Sequence, residues 1–157
     1  MKQILIIFSI IFPFLAYSLT IESDQLDVNL KEKNATFRGN VKVKNDKIDF
    51  SADLVEVEID DKSNDLSKIK AVKAYMNKGQ LHGTIKSGST TYNLLSSLII
   101  LDLVNNKIVI EDANLSDKTS NITGDKIIYD MKTDLVSASS KNGKKVKISI
   151  SNGQKIE

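Results

Sequence analysis

The sequence predicts an all-β fold built from stacked antiparallel hairpins, and three observations carry that expectation. Apolar and polar residues alternate with a period of two, clusters of Asn, Asp, Ser, Gly and Lys recur every roughly ten to fifteen residues, and the one proline, Pro13, precedes every alternating run. Period two places successive side chains on opposite faces, so each run is a strand with one buried face.

Residues 1–18 have a different character. Lys2 is followed by an apolar stretch over residues 4–15 and by the small residues Ala16 and Ser18. This is the layout of an export signal cleaved after Ser18, leaving residues 19–157 as one domain. An uncleaved membrane anchor is the competing reading.

The strands then follow in order. Ala35, Phe37, Gly39, Val41 and Val43 share one face; after the Asn45-Asp46 turn, Ile48, Phe50 and Ala52 continue it. Beyond Asp53 the apolar set changes parity to Val55, Val57 and Ile59. The same slip recurs where Tyr92 and Leu94 give way across Ser96-Ser97 to Ile99, Leu101 and Leu103, and where Ile122 gives way across Gly124-Asp125 to Ile127, Tyr129 and Met131. A one-residue slip turns a whole apolar face outward unless the strand bends or bulges there, so Asp53, Ser97 and Asp125 are expected corners, with Asp24 a fourth candidate. Ile108 and Ile110 alternate between the last two of these segments, and Val146, Ile148 and Ile150 alternate with Lys147 and Ser149 near the end. Residues 66–79 fit two patterns. Leu66, Ile69, Val72 or Lys73, and Met76 have helical spacing between Asp65 and Gly79, whereas Ile69 and Ala71 followed by Val72, Ala74 and Met76 make another phase-slipped strand. The surrounding β pattern favours the strand.

Composition narrows the function. With 22 basic and 20 acidic residues spread along the chain, there is no footprint for nucleic acid. The chain has no cysteine, which removes disulfides and thiol chemistry. His82, beside Gly83, is the only histidine and is expected in a solvated loop; no catalytic triad or metal set can be assembled around it. Asp60, Asp61 and Asp65, and likewise Glu111 and Asp112, lack the glycine and terminal glutamate of a calcium loop. No phosphate loop, dinucleotide fingerprint or nucleophile elbow is present, so no enzyme, cofactor or metal is expected. Lys42, Lys44 and Lys47 with Lys144, Lys145 and Lys147 could meet anionic groups, although charged strands usually present a solvated face. The informative chemistry is apolar: many Val/Ile/Leu strands without tryptophan or a covering helix imply two sheets facing each other or one closed sheet. Its interior is either a filled core or a slot for alkyl chains.

Three segments carry a family resemblance. Residues 21–28 (IESDQLDV), 34–43 (NATFRGNVKV) and 48–57 (IDFSADLVEV) resemble the OstA-like, or LptA, family, most sharply in the run Phe37-Arg38-Gly39-Asn40-Val41. Agreement is good over residues 21–59 and loosens to the level of hairpin pattern by residue 150. Where the family often has Gln-Gly in a turn, this chain has Asn45-Asp46. The resemblance implies a twisted β-jellyroll with open edge strands, periplasmic residence, and a soluble lipopolysaccharide-transport protein that holds lipid A acyl chains in its interior. Implied partners are an inner-membrane LptC-like component, an outer-membrane LptD-like component and further copies stacked head to tail. A membrane-anchored LptC-like component and a structural periplasmic β module are the alternatives. The interior positions carried over are Phe37, Val41, Val43, Ile48, Phe50, Val55, Val57 and Ile59; pattern adds Ile99, Leu101, Ile108, Ile110, Tyr129 and Met131. The expected assembly edges are Leu26, Val28 and Leu30 at one end and Val146, Ile148 and Ile150 at the other.

Overall fold

Each phase slip in the sequence is a place where the chain leaves one hydrogen-bonded ladder and joins another. The computed structural model describes residues 6–11, 18–62 and 68–151. Its strands are β1 (Ile6–Ile11), β2 (Ser18–Ser23), β3 (Gln25–Asn29), β4 (Asn34–Lys44), β5 (Ile48–Ile59), β6 (Ile69–Tyr75), β7 (Leu81–Ser87), β8 (Thr90–Ser96), β9 (Leu98–Asp102), β10 (Lys107–Ser116), β11 (Ser120–Asp130), β12 (Leu135–Ser139) and β13 (Lys147–Ile150). All pairings among them are antiparallel.

The pairings resolve into two ladders. In the first, β1 and β2 are followed by the C-terminal half of β4, the N-terminal half of β5, β7, β8, the C-terminal half of β10, the N-terminal half of β11 and β13. In the second, β3 is followed by the other halves of β4 and β5, then β6, β9, the other halves of β10 and β11, and β12. Every pass of the chain thus crosses from one ladder to the other, making the twisted jellyroll. The two apolar faces meet in one core cluster.

The corners hold because polar groups satisfy the backbone there. Opposite Asp53, β4 bulges at Gly39 and Asn40, both with positive φ, and the register shifts between Arg38 and Val41. Carboxylates stitch neighbouring passes together at this line. Asp24 accepts from Asn40 Nδ2 at 2.8 Å, Asp53 from the Asn77 N–H at 2.8 Å, Asp112 from Ser97 Oγ at 2.8 Å, and Asp125 from the Lys141 N–H at 2.7 Å. Asp24 is therefore a corner, like the three residues expected with more evidence. The hairpin turns use the same chemistry: the side chains of Asn29, Asn45, Asp60, Asp102, Asp117 and Asp130 each accept from a backbone N–H two or three residues on.

Residues 63–67 lie outside the described residues, and with them residues 66 and 67 of the ambiguous segment; Ile69–Tyr75 forms β6, while Met76 and residues 77–79 follow it outside any strand. Ile69, Val72 and Ala74 point inward, with a register shift between Glu58 and Ile59 that accounts for the slip. His82 is on strand β7, exposed, and not in a loop, because the slip-prone Gly83 beside it is paired with Phe50 and Leu94. Leu30 falls in the turn after β3, and Val146 lies just before β13, so those two positions are not strand residues. The segment expected to be an export signal is described in part: Ile6–Ile11 pairs with Ser18–Ser23, while residues 1–5 and 12–17 lie outside the described residues.

Candidate functional site

All fourteen interior positions expected from the sequence are buried, from Val41, Val43, Val55, Ile99, Leu101, Ile108 and Ile110 at 0% exposure to Met131 at 5%. Their arrangement follows from register. Across the second ladder, Leu26, Phe37, Val55, Ala74, Ile99, Ile110, Ile127 and Ala138 are successive cross-strand partners, an apolar row with no interruption. A parallel row runs through Ala35, Val57, Val72, Leu101, Ile108, Tyr129 and Val136. In the first ladder the facing row is Ile21, Val43, Phe50, Gly83, Leu94, Leu115, Ile122 and Ile148. At about 4.8 Å per strand, eight positions span roughly 34 Å perpendicular to the strands.

This interior is packed. The apolar cleft at the β3 end, lined by Leu26, Val28, Ala35, Phe37, Val57, Ile59 and Ile69, holds about 20 Å³, the room of one water. Other clefts are on the polar exterior, such as the one lined by Asn34, Thr36, Glu56, Glu58 and Lys73. The rows end uncovered: Val28 is 42% exposed at the β3 edge, while Ile148 and Ile150 are 60% and 70% exposed at β13.

Tyr129 brings a polar group to the edge of the core. Its ring lies in the core at 1% exposure, and its hydroxyl reaches the Asp134 carboxylate. That hydrogen bond, and then Lys47, hold the Asp134 carboxyl below its ordinary value. No group of three or more His, Cys, Asp or Glu side chains suited to a metal occurs among the described residues, and no described helix is long and apolar enough to cross a membrane. Lys42 and Lys44 are exposed on the outer face of β4, and Lys44 pairs with Asp49 at 3.7 Å.

Sequence reasoning missed Ala113 and Leu115, which belong to the core. The signal was present: β10 buries Ile108 and Ile110, then Ala113 and Leu115, the same slip at Asp112. Leu81 and Ile85 were also unassigned, in a segment where a glycine hides the alternation.

Comparison with known proteins agrees with this architecture. The profile of a family described as LptA/(LptD N-terminal domain) LPS transport protein matches residues 20–135. Among solved structures, the chain is similar in fold to LptH, described as the LptA homologous periplasmic component of the conserved lipopolysaccharide transport device from Pseudomonas aeruginosa. The TM-score is 0.70 at 17% identity, covering 85% of this chain and 95% of that one. No curated protein matches the chain in sequence.

Proposed function

We propose, given that the chain belongs to the LptA/LptD N-terminal-domain family of lipopolysaccharide-transport proteins, that it carries lipid A acyl chains between its two ladders in the periplasm. The observation that carries this reading is the set of apolar rows, which run unbroken across the second ladder from β3 to β12 and leave Val28 uncovered at the β3 end. An alkyl chain laid along them exchanges water for apolar surface at about 25 cal/mol per Å² without asking for a polar partner. In this reading no covalent step occurs; transport is transfer of cargo between like interiors. An LptC-like component at the inner membrane and an LptD-like component at the outer membrane supply and receive the glycolipid, and copies of this chain stack head to tail between them.

Export fits the same scheme. Cleavage after Ser18 removes β1 and leaves β2 as a free ladder edge beside β3. Intact mass of the exported protein is expected to correspond to a chain beginning at Leu19, and a membrane-bound protein retaining Met1 would select the anchored alternative.

The cargo reading is tested with a photo-crosslinking side chain at Val57, 3% exposed and in the second row, against one at Glu56, which faces outward on the same strand. Lipopolysaccharide is expected to label from position 57 and not from 56. Labelling from neither, with the fold intact, rejects the carrier and leaves a structural β module.

A further inference from the structure

A hydrogen-bonded link ties the two ladders together at their turns. Lys47, in the turn between β4 and β5 on the first ladder, donates from Nζ to Asp134 at 3.4 Å. Asp134 belongs to the turn between β11 and β12 on the second ladder, and the two residues are 87 positions apart in sequence. The same carboxylate oxygen accepts from the Tyr129 hydroxyl, which also lies 3.3 Å from the Lys86 carbonyl on β7. One hydroxyl proton serves one acceptor at a time, so Asp134 takes it and the Lys86 carbonyl is the alternative. Lys86 is fixed in turn by its own N–H, which donates to the Lys47 carbonyl at 2.8 Å.

We propose that Tyr129, Asp134 and Lys47 form a clasp that must part for acyl chains to enter, so that the clasp sets the rate of lipopolysaccharide uptake. The inference rests on the carrier reading and deepens it. Because the interior is packed, cargo can be seated only if the facing rows separate. Tyr129 is both a member of a row and the anchor of the clasp, so separation of the ladders and release of its hydroxyl are one event. The clasp is also of breakable strength: Asp134 is 48% and Lys47 24% exposed, and ion pairs open to water are weak. The turn does not itself demand aspartate at that position. Lys33 and Asn106 close the equivalent turns with the same left-handed backbone, φ 54° and 55° against 55° at Asp134.

Uptake of fluorescent lipopolysaccharide by the full mature chain tests the clasp. Tyr129→Phe keeps the ring and removes the hydroxyl; it is expected to load several-fold faster than wild type, with faster amide exchange at Lys86 and in residues 131–134. The opposite perturbation uses Lys47→Cys with Asp134→Cys, the only thiols in a chain that has none of its own, joined by a short bis-maleimide. The tied protein is expected to load at least tenfold more slowly than the same protein before tying, a comparison that does not depend on the folding of Tyr129→Phe. Equal rates before and after tying, with wild type loading normally, would overturn the clasp alone. Failure of every form to load, wild type included, would overturn the carrier reading and the clasp together.

Discussion

Gly83 is the one position in the first ladder's apolar row without a side chain, and the gap is filled by its neighbour. A Cβ added there would lie 2.4 Å from the Asp49 carbonyl oxygen and 2.5 Å from the Phe50 Cβ, closer than either can tolerate. Both atoms are placed by the β5 backbone and no rotamer change moves them, so β5 and β7 must shift apart, and overpacking of that kind typically costs about 1–3 kcal/mol. Gly83→Ala is expected to lower the urea midpoint accordingly, and Phe50→Leu in the same chain, which keeps the Cβ, should recover none of the loss. Recovery in the double variant would show that the strain lies against the Phe50 ring instead. This glycine also marks a limit of reading by pattern. A His-Gly pair looks like a turn because glycine supplies no side chain to the alternation, and only the packing of Phe50 against β7 reveals a strand.

At the scale of strands and turns, the corners were legible because a change of parity is written into any strand that bends. Asp53, Ser97 and Asp125 showed it; β4 did not, because its extra residue at Gly39-Asn40 compensates the bend and keeps the odd positions facing inward. Which ladder each half-strand joins was not legible, since periodicity reports a face and not a partner. The carboxylates at corners and turns make acid stability a direct readout of this architecture. The Lys141 N–H and nearby lysines lower the Asp125 pKa, backbone N–H donors at Thr119 and Ser120 lower that of Asp117, and those at Thr133 and Lys132 lower that of Asp130. Folded values below unfolded ones mean that the unfolded chain binds protons first, so the stabilisation is complete above the ordinary carboxylate range and is lost as pH falls. Stability is expected to be flat near neutrality and to decline below about pH 4. Asp125→Asn with Asp130→Asn should flatten that decline; an unchanged acid slope in urea melts at pH 7 and pH 3 would place the proton uptake elsewhere.

For the whole molecule, the same hydrogen-bond geometry that builds the ladders leaves both of them open. With the proposed cleavage after Ser18, the first ladder would end in β2 and β13 and the second in β3 and β12, so the two ends of the sandwich would differ. Pairing one end with the other of a second copy is heterologous and propagates into open chains. It would also continue the apolar rows from copy to copy, covering Ile148 and Ile150 as well as Val28. The direction of the free donors on β13 follows from one bond. The Ser151 N–H donates to the Thr119 carbonyl at 2.8 Å, and N–H direction alternates along an antiparallel strand. Ser149 and Lys147 therefore face β11, while Ile148 and Ile150 present their N–H groups on the free edge. Lysines at 144, 145 and 147 are the usual guard of such an edge, so pairing there has to overcome their charge. Ile148→Pro removes an outward donor without touching the bonds to β11. It is expected to shorten or abolish self-association in sedimentation velocity while the monomer still melts cooperatively. If the variant assembles like wild type, β13 is not the joining edge; if wild type stays monomeric at every concentration, each copy works as a shuttle or a single-copy bridge, and the two ladders end where the chain does.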